Sequence, residues 1–232
     1  MNSSTPKVLT LLKGKPMIGY LLDVIRQSGV DERPVIVVGY QGELITQTLG
    51  PDFDYVRQEE QLGTGHAVGC AEELLRGNTD DIIVLYGDHP FIRPHTIAEL
   101  HDLHRREGCV LSMMTSTVED FQGWQKPFYD FGRVIRDASG KIMAIKEMKD
   151  ATPAELEIRE VNPAFFCFNA AWLWPNLRKI GNNNAKHEYY LVDLVRIAID
   201  GGECIASMDI SPLESIGINT SEHLELAKEL AK

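Results

Sequence analysis

A run of small residues, Gln61-Leu62-Gly63-Thr64-Gly65-His66-Ala67, separates a short strand (54–58) from a helix, and Gly87-Asp88 closes the next strand. A small-residue turn that opens a helix lets a ligand approach the backbone and offers free N–H groups. A carboxylate just past the C-terminal end of a buried strand is where open α/β sheets place phosphate and metal chemistry. The two features together predict a nucleotide held over a divalent cation, and hence an enzyme.

The surrounding pattern supports such a sheet. Residues 16–28 carry an apolar helical stripe that stops at Gly29, and Val35-Ile36-Val37-Val38 is a continuous apolar run suited to a strand buried on both faces. A helix over 41–49, a strand at Tyr55-Val56, a helix over 64–75, a strand over 82–86, a helix over 94–106 and a strand over 109–118 complete the first half. Strand and helix alternating with short loops imply a doubly wound, three-layer α/β fold. After residue 118 the pattern changes to a hairpin (132–137 and 141–147), a strand over 163–168, a helical piece over 172–177, a helix over 189–199, a strand over 205–210 and a closing helix over 222–230. The 232 residues are read as one domain, with a nucleotide-binding lobe (1–118) and a sugar-phosphate-binding lobe (119–232).

Charge narrows the partners. With 34 acidic against 23 Lys and Arg side chains, the net charge is −11, a poor match for nucleic acid or an anionic membrane, whose phosphates need a basic face. Cys70, Cys109, Cys167 and Cys204 are far apart, form no CxxC pair and have apolar or small neighbours, so they read as reduced core cysteines. No apolar run nears the length of a membrane span and no signal-peptide layout is present, which predicts a cytoplasmic protein with no evident protein partner. His95, His101 and His104 share a helix face and read as solvated.

Several motifs occur in one order: Pro6-Lys7-Val8-Leu9, Gly14-Lys15-Pro16-Met17, Gln58 with the 61–67 run, Tyr86-Gly87-Asp88, Phe131-Gly132-Arg133, Glu147 with Lys149-Asp150-Ala151, Glu160-Val161-Asn162, Asn182-Asn183-Asn184-Ala185, Glu188-Tyr189-Tyr190-Leu191 and Gly217-Ile218-Asn219. From about residue 5 onward the chain resembles the uridylyltransferase domain of bacterial N-acetylglucosamine-1-phosphate uridylyltransferase. The resemblance implies a Rossmann-like nucleotidyltransferase fold with a mixed, mostly parallel sheet and a small sugar-binding lobe. It implies Mg²⁺ held by Asp88 and Asn219, with Lys7 on the nucleotide phosphates and counted with Asp88 as catalytic. Gln58, Gln61, Gly63 and Thr64 correspond to the segment that reads uracil; Tyr86, Gly87, Gly132, Glu147 and Asn162 correspond to the sugar-phosphate pocket. UTP and N-acetylglucosamine 1-phosphate are the implied substrates, UDP-N-acetylglucosamine and pyrophosphate the products.

The departures from the family pattern are specific. Members commonly begin with a buried strand and a loop reading L-A-A-G-x-G-T-R-M, whereas only five residues precede Pro6 here; the expectation is a start at an internal methionine or a truncation, with a central strand and triphosphate loop wanting. No hexapeptide-repeat acetyltransferase segment is recognisable. Asn162-Pro163-Ala164 stands for the usual Asn-Thr-Gly, Lys186-His187 for Gln-Gly, and His89 for an aliphatic residue. Other hexose 1-phosphates, dTTP in place of UTP, or non-catalytic binding of a nucleotide sugar are the alternative readings.

Overall fold

The computed structural model describes residues 5–230. Residues 1–4, on which the expectation about an upstream loop turns, lie outside the described residues. A 3₁₀ turn (Lys7–Leu9) leads to a two-strand ladder, β1 (Leu11–Leu12) against β2 (Lys15–Pro16), then α1 (Met17–Ser28), β3 (Val35–Val38), α2 (Gly42–Leu49) and β4 (Asp54–Arg57). Next come α3 (Thr64–Cys70), α4 (Glu72–Leu75), β5 (Asp81–Val84), α5 (Pro94–Glu107) and β6 (Leu111–Thr117). The second half holds β7 (Gly132–Arg136), β8 (Ile142–Lys146), α6 (Pro153–Leu156), β9 (Glu160–Asn162), β10 (Phe166–Asn169), α7 (Ala170–Leu177), α8 (Asp193–Asp200), β11 (Ile205–Ile210) and α9 (Ser221–Leu230).

The main sheet runs β5-β10-β6-β9-β7-β8, with β11 joined in parallel to β6. Because β10 pairs antiparallel with both β5 and β6, those two strands and β11 share one direction, with β10 threaded between them in the opposite sense. β3 and β4 form a separate parallel pair. Among the described residues β3 pairs only with β4 and β5 only with β10, so each keeps one edge without a strand partner.

Strand alternation splits the core between the two faces of the sheet. Phe166, Phe168 and Met113 face α3, α7 and α8, packing with Val68, Leu173, Trp174, Leu194 and Val195. Cys167 and Met114 face α1 and α5, packing with Leu21, Ile97 and Leu100. The arrangement is therefore α/β/α, as expected. The β3–β4 pair is attached through a smaller cluster of Leu9, Ile18, Leu22, Ile36, Val38, Ile45 and Phe53. No described helix is long and apolar enough to cross a membrane.

Five expectations change. The helix predicted over 64–75 is divided at Ala71, whose N–H bonds the Val68 carbonyl in a tightened i to i−3 turn. The helix predicted over 189–199 begins at Asp193, because Tyr189 spends its N–H on the Leu62 carbonyl and its carbonyl on the Gly65 N–H. The strand predicted over 163–168 begins at Phe166, because Ala164 adopts a left-handed φ of 65° that no strand tolerates. Cys109 and Cys204 are disulfide-bonded rather than reduced, with Cα atoms 4.7 Å apart. The β6–β11 register, which sets Leu111 opposite Ile205, brings the residues just before both strands together; Cys70 and Cys167 are free. Finally, the histidine face is solvated only in part: His95 is exposed and His101 half-buried, but His104 is 3% exposed, and the His101 and His104 rings both turn onto Asp81, as does the Arg105 guanidinium.

Candidate functional site

The register of the sheet gathers the expected residues along one edge. Phe166 at the start of β10 lies opposite Val84 at the end of β5. The chain leaving β5 toward Asp88 and the chain entering β10 from Asn162 therefore meet at the same end. Gly132, the first residue of β7, pairs with Asn162 there.

At the centre of this edge Asp88 and Asn219 share one cation. The Lys7 ammonium donates to Asp88 Oδ2 at 2.5 Å and to Asn219 Oδ1 at 2.6 Å. The backbone holds these groups together: the Ile218 N–H donates to the Asp88 carbonyl at 2.9 Å, fixing the 217–219 turn against the end of β5. Gly87 packs so closely on Val8 and Ile18 that an added Cβ would sit 3.2 Å from Val8 Cγ1, which anchors the 3₁₀ turn carrying Lys7. Burial works to raise the Asp88 pKa, but hydrogen bonds and charge from His89 and Lys7 outweigh it and hold the carboxyl well below the usual carboxylate range. Asp88 is thus an anion in need of a positive partner.

His89 grips the other oxygen, with Nδ1 3.0 Å from Asp88 Oδ1. Its ring is buried, stacked edge-on against Phe165 at 4.9 Å, and it lies where a Cβ on residue 217 would come within 3.0 Å. That contact explains why Gly217 is small. Sequence reading noted His89 as a departure but gave it no role; the carboxylate next to it was the available signal.

The glycine run also has a structural use. Gly63 has φ 102°, and a Cβ there would meet the Tyr189 carbonyl oxygen at 2.6 Å. The Gly65 N–H donates to that same carbonyl at 2.8 Å, and the Thr64 hydroxyl accepts the Leu191 N–H at 3.0 Å. These small residues therefore admit the 188–191 segment, and the Gly65 N–H expected to be free for a ligand is already bonded. Thr64 also hydrogen-bonds Tyr86, whose phenol pKa is raised by burial and by the Asp88 charge. Gln58 turns its amide nitrogen onto the Gly63 carbonyl (3.1 Å) and His66 Nδ1 (3.0 Å), so its carbonyl oxygen is what it can offer a ligand. Gln61 is exposed and lies over Gly39 beside the end of β3.

Gly132, Glu147 and Asn162 form a second group. A Cβ at Gly132 would lie 3.1 Å from Glu147 Oε1, so the carboxyl tip of this otherwise exposed residue folds back over β7. That partial burial, with the charges of Asp150 and Asp193, raises the Glu147 pKa. Asp193, at the start of α8, has its own pKa raised by burial. Asn162 is buried, with Oδ1 accepting the Ala164 N–H at 2.9 Å.

The donor set fits a hard divalent cation. Two protein oxygens already converge on one positive atom, and Mg²⁺ commonly takes one or two protein oxygens while phosphates and water fill the rest. No group of three or more His, Cys, Asp or Glu gathers among the described residues to hold a metal, so the two oxygens of Asp88 and Asn219 would rely on phosphate and water for the remaining positions.

Comparison with known proteins identifies the family and the fold. The chain is 39% identical to the bifunctional protein GlmU of Geobacter metallireducens over 235 residues, covering 100% of this chain and 48% of that protein. It is 36% identical to that of Pelobacter propionicus, covering 100% of this chain and 49% of the relative. The chain thus spans about half the length of these curated relatives. Among solved structures, a UDP-glucose pyrophosphorylase complexed with UDP-glucose superposes with a TM-score of 0.73 at 16% identity, covering 97% of this chain and 90% of that one. A CMP:2-keto-3-deoxy-manno-octonic acid synthetase complexed with CTP gives 0.72 at 17%, covering 99% and 94%. Both share the α/β nucleotidyltransferase fold. Residues 1–186 match the MobA-like NTP transferase domain, and the chain belongs to that family.

Proposed function

We propose that the chain is a sugar-1-phosphate nucleotidyltransferase that joins UTP and N-acetylglucosamine 1-phosphate into UDP-N-acetylglucosamine with release of pyrophosphate, in the cytoplasm. The observation that carries this reading is the convergence of Asp88 and Asn219 oxygens on one cation at the C-terminal end of β5. The order of motifs from Pro6 to Asn219, which resembles the N-acetylglucosamine-1-phosphate uridylyltransferases, supports the same sugar.

Mg²⁺, when bound, would neutralise phosphate charge and help orient the α-phosphate for in-line attack. Asp88 and Asn219 are the residues that would hold it. The sugar-phosphate oxygen forms the new bond to the α-phosphorus as the bond to pyrophosphate breaks, so no protein nucleophile takes part. Lys7 supplies positive charge to the phosphates. Gln58, its amide hydrogens spent on Gly63 and His66, presents a carbonyl acceptor to the base. Uracil offers an N3–H donor to such a group, whereas cytosine offers a lone pair, which makes UTP the matching nucleotide. Gln61, Gly63 and Thr64 complete the base-side wall, and Tyr86, Gly87, Gly132, Glu147 and Asn162 line the sugar side.

The test is pyrophosphate release by the 232-residue chain with Mg²⁺, UTP or CTP, and a panel of hexose 1-phosphates. Turnover with UTP and N-acetylglucosamine 1-phosphate, and far less with CTP, is the expected result. Equal rates with UTP and CTP would remove Gln58 from base reading, and no turnover or nucleotide-sugar binding by the folded chain would remove the activity.

A further inference from the structure

The position of the Lys7 ammonium carries an inference beyond its contact with phosphate. Nζ lies 2.5 Å from Asp88 Oδ2 and 2.6 Å from Asn219 Oδ1, the two atoms assigned to the divalent cation. One positive atom fills the space between them. A lysine and a metal ion cannot share two oxygens at such distances, because like charges would then stand within a few ångströms of each other.

The geometry points to an ion exchange: Lys7 is a tethered cation that occupies the metal position in the metal-free protein and is displaced when a divalent cation takes Asp88 Oδ2 and Asn219 Oδ1. This rests on the metal role proposed for those residues. Displacement leaves Asp88 partly held, since His89 grips Oδ1 and not Oδ2. The carboxylate keeps its orientation while one oxygen changes partner. The turn that carries Asn219 is likewise kept in place by the backbone bond between Ile218 and Asp88. What moves is the lysine chain. Its four-carbon stem carries a point charge with three donors on rotatable bonds, and its side chain is 35% exposed, so it has somewhere to go. Released, the ammonium is free for a phosphate. Metal entry and readiness of the phosphate-binding lysine become one event.

Three consequences separate this from a lysine that merely adds local charge. Removing the ammonium should strengthen metal binding although it removes a catalytic group. Keeping the charge on a side chain that can still reach both oxygens should not. Removing a lysine bonded elsewhere should have no effect; Lys15, held by Asp23, provides that control.

The experiment is Mn²⁺ titration of the nucleotide-free chain, with free Mn²⁺ read by electron paramagnetic resonance, for wild type, Lys7→Met, Lys7→Arg, Lys15→Met and Asp88→Asn. Thermal unfolding confirms that each variant is folded. Lys7→Met should bind Mn²⁺ roughly twofold to fivefold more tightly than wild type, the scale of a part-exposed ion pair that no longer competes. Lys7→Arg and Lys15→Met should stay near the wild-type value, and Asp88→Asn should lose the site. Equal or weaker Mn²⁺ binding in Lys7→Met overturns the exchange, and so does equal tightening in Lys15→Met. Pyrophosphate release by wild type, measured in the same preparations, separates the two readings. Turnover with unchanged Mn²⁺ affinity in Lys7→Met removes the exchange and leaves the enzyme. Absence of both Mn²⁺ binding and turnover in folded wild type removes both.

Discussion

Strand β5 carries a sheltered carboxylate at each end, and the two ends are built for opposite purposes. Asp81 at the start and Asp88 just past the finish have side chains 12% and 13% exposed, and both have basic neighbours. Around Asp81 those neighbours are His101, His104 and Arg105. All three stand on α5 within little more than one turn, so the carboxylate fastens a rigid helix to the sheet. Around Asp88 the basic neighbours are Lys7, from a 3₁₀ turn distant in sequence, and the adjacent His89, and Lys7 also bonds Asn219 from a third piece of chain. Elements that are free to move independently can exchange partners, whereas three side chains on one helix cannot. A hollow of about 360 Å³ lined by Asp81, His104 and Cys109 marks the β5 start, yet the proposed phosphate chemistry is at the other end. Content does not distinguish the ends; position does, as the general placement of ligands at the carboxyl ends of strands requires.

The sharpest way to break this contrast is to neutralise each carboxylate in turn. Asp88→Asn should cost about 10²–10³ in kcat, the scale for deleting a preorganised charge at a reacting centre. Asp81→Asn should leave kcat within about threefold and lower stability by roughly 1–3 kcal/mol, as expected for weakening a sheltered hydrogen-bonded charge. Comparable losses of turnover in both would show that the ends are not functionally distinct.

Tightness at the functional end gives the next largest effect. Gly63→Ala would force a Cβ against the Tyr189 carbonyl at a φ of 102°. It should destabilise by about 2–4 kcal/mol, a left-handed penalty with a backbone clash added. Denaturant unfolding of this variant measures it, and a loss under 1 kcal/mol would mean that the 188–191 segment is not clamped on the glycine run.

These tests also show what the chain disclosed before it was folded. Strand β3 and helix α1 were legible because apolar pattern and a left-handed glycine stop are local signals. That Asp88 and Asn219, 131 residues apart, stand together was legible through a family resemblance. The purpose of Gly63 and Gly65 was not, since it depends on where Tyr189 arrives. The same holds for His104, whose helical spacing with His101 suggested a wet face until the chain placed Asp81 beneath it. The disulfide between Cys109 and Cys204 follows from a parallel register that joins residues 95 apart.

Acid separates the two ends as well. Burial, ahead of the raising influence of Asp81, lowers the His104 pKa below its ordinary 6.5. The folded state thus binds this proton less readily than the unfolded chain, and the contribution is present above pH 6.5 and lost as pH falls through the lowered value. Asp88 also has a depressed pKa, but its window opens only below about 3.8. His104→Gln should therefore flatten the decline in thermal midpoint between pH 7 and pH 5, and Asp88→Asn should leave that interval unchanged. An unaltered slope in His104→Gln would assign the mild-acid loss to other groups.

The smallest expected effect concerns backbone strain, and it sharpens the contrast by locating that strain beside the site. Where the resembling family commonly carries glycine, this chain has Ala164 at φ 65° and His187 at φ 55°. The backbone has kept the left-handed turn at both positions although the residue that fits it best has gone. A left-handed L-residue costs about 1–2 kcal/mol, and glycine gives back roughly 0.5–1 kcal/mol through its freer unfolded chain. Ala164→Gly should therefore stabilise by about 0.5–1 kcal/mol. His187→Gly should gain less, because histidine enters this region more readily than alanine. Equilibrium unfolding of the two variants ranks them. If Ala164→Gly instead lowers stability, the turn is held by the Asn162 side chain at Ala164 N–H with little strain to release, and the Asn-Pro-Ala sequence is adapted to its pocket rather than tolerated there.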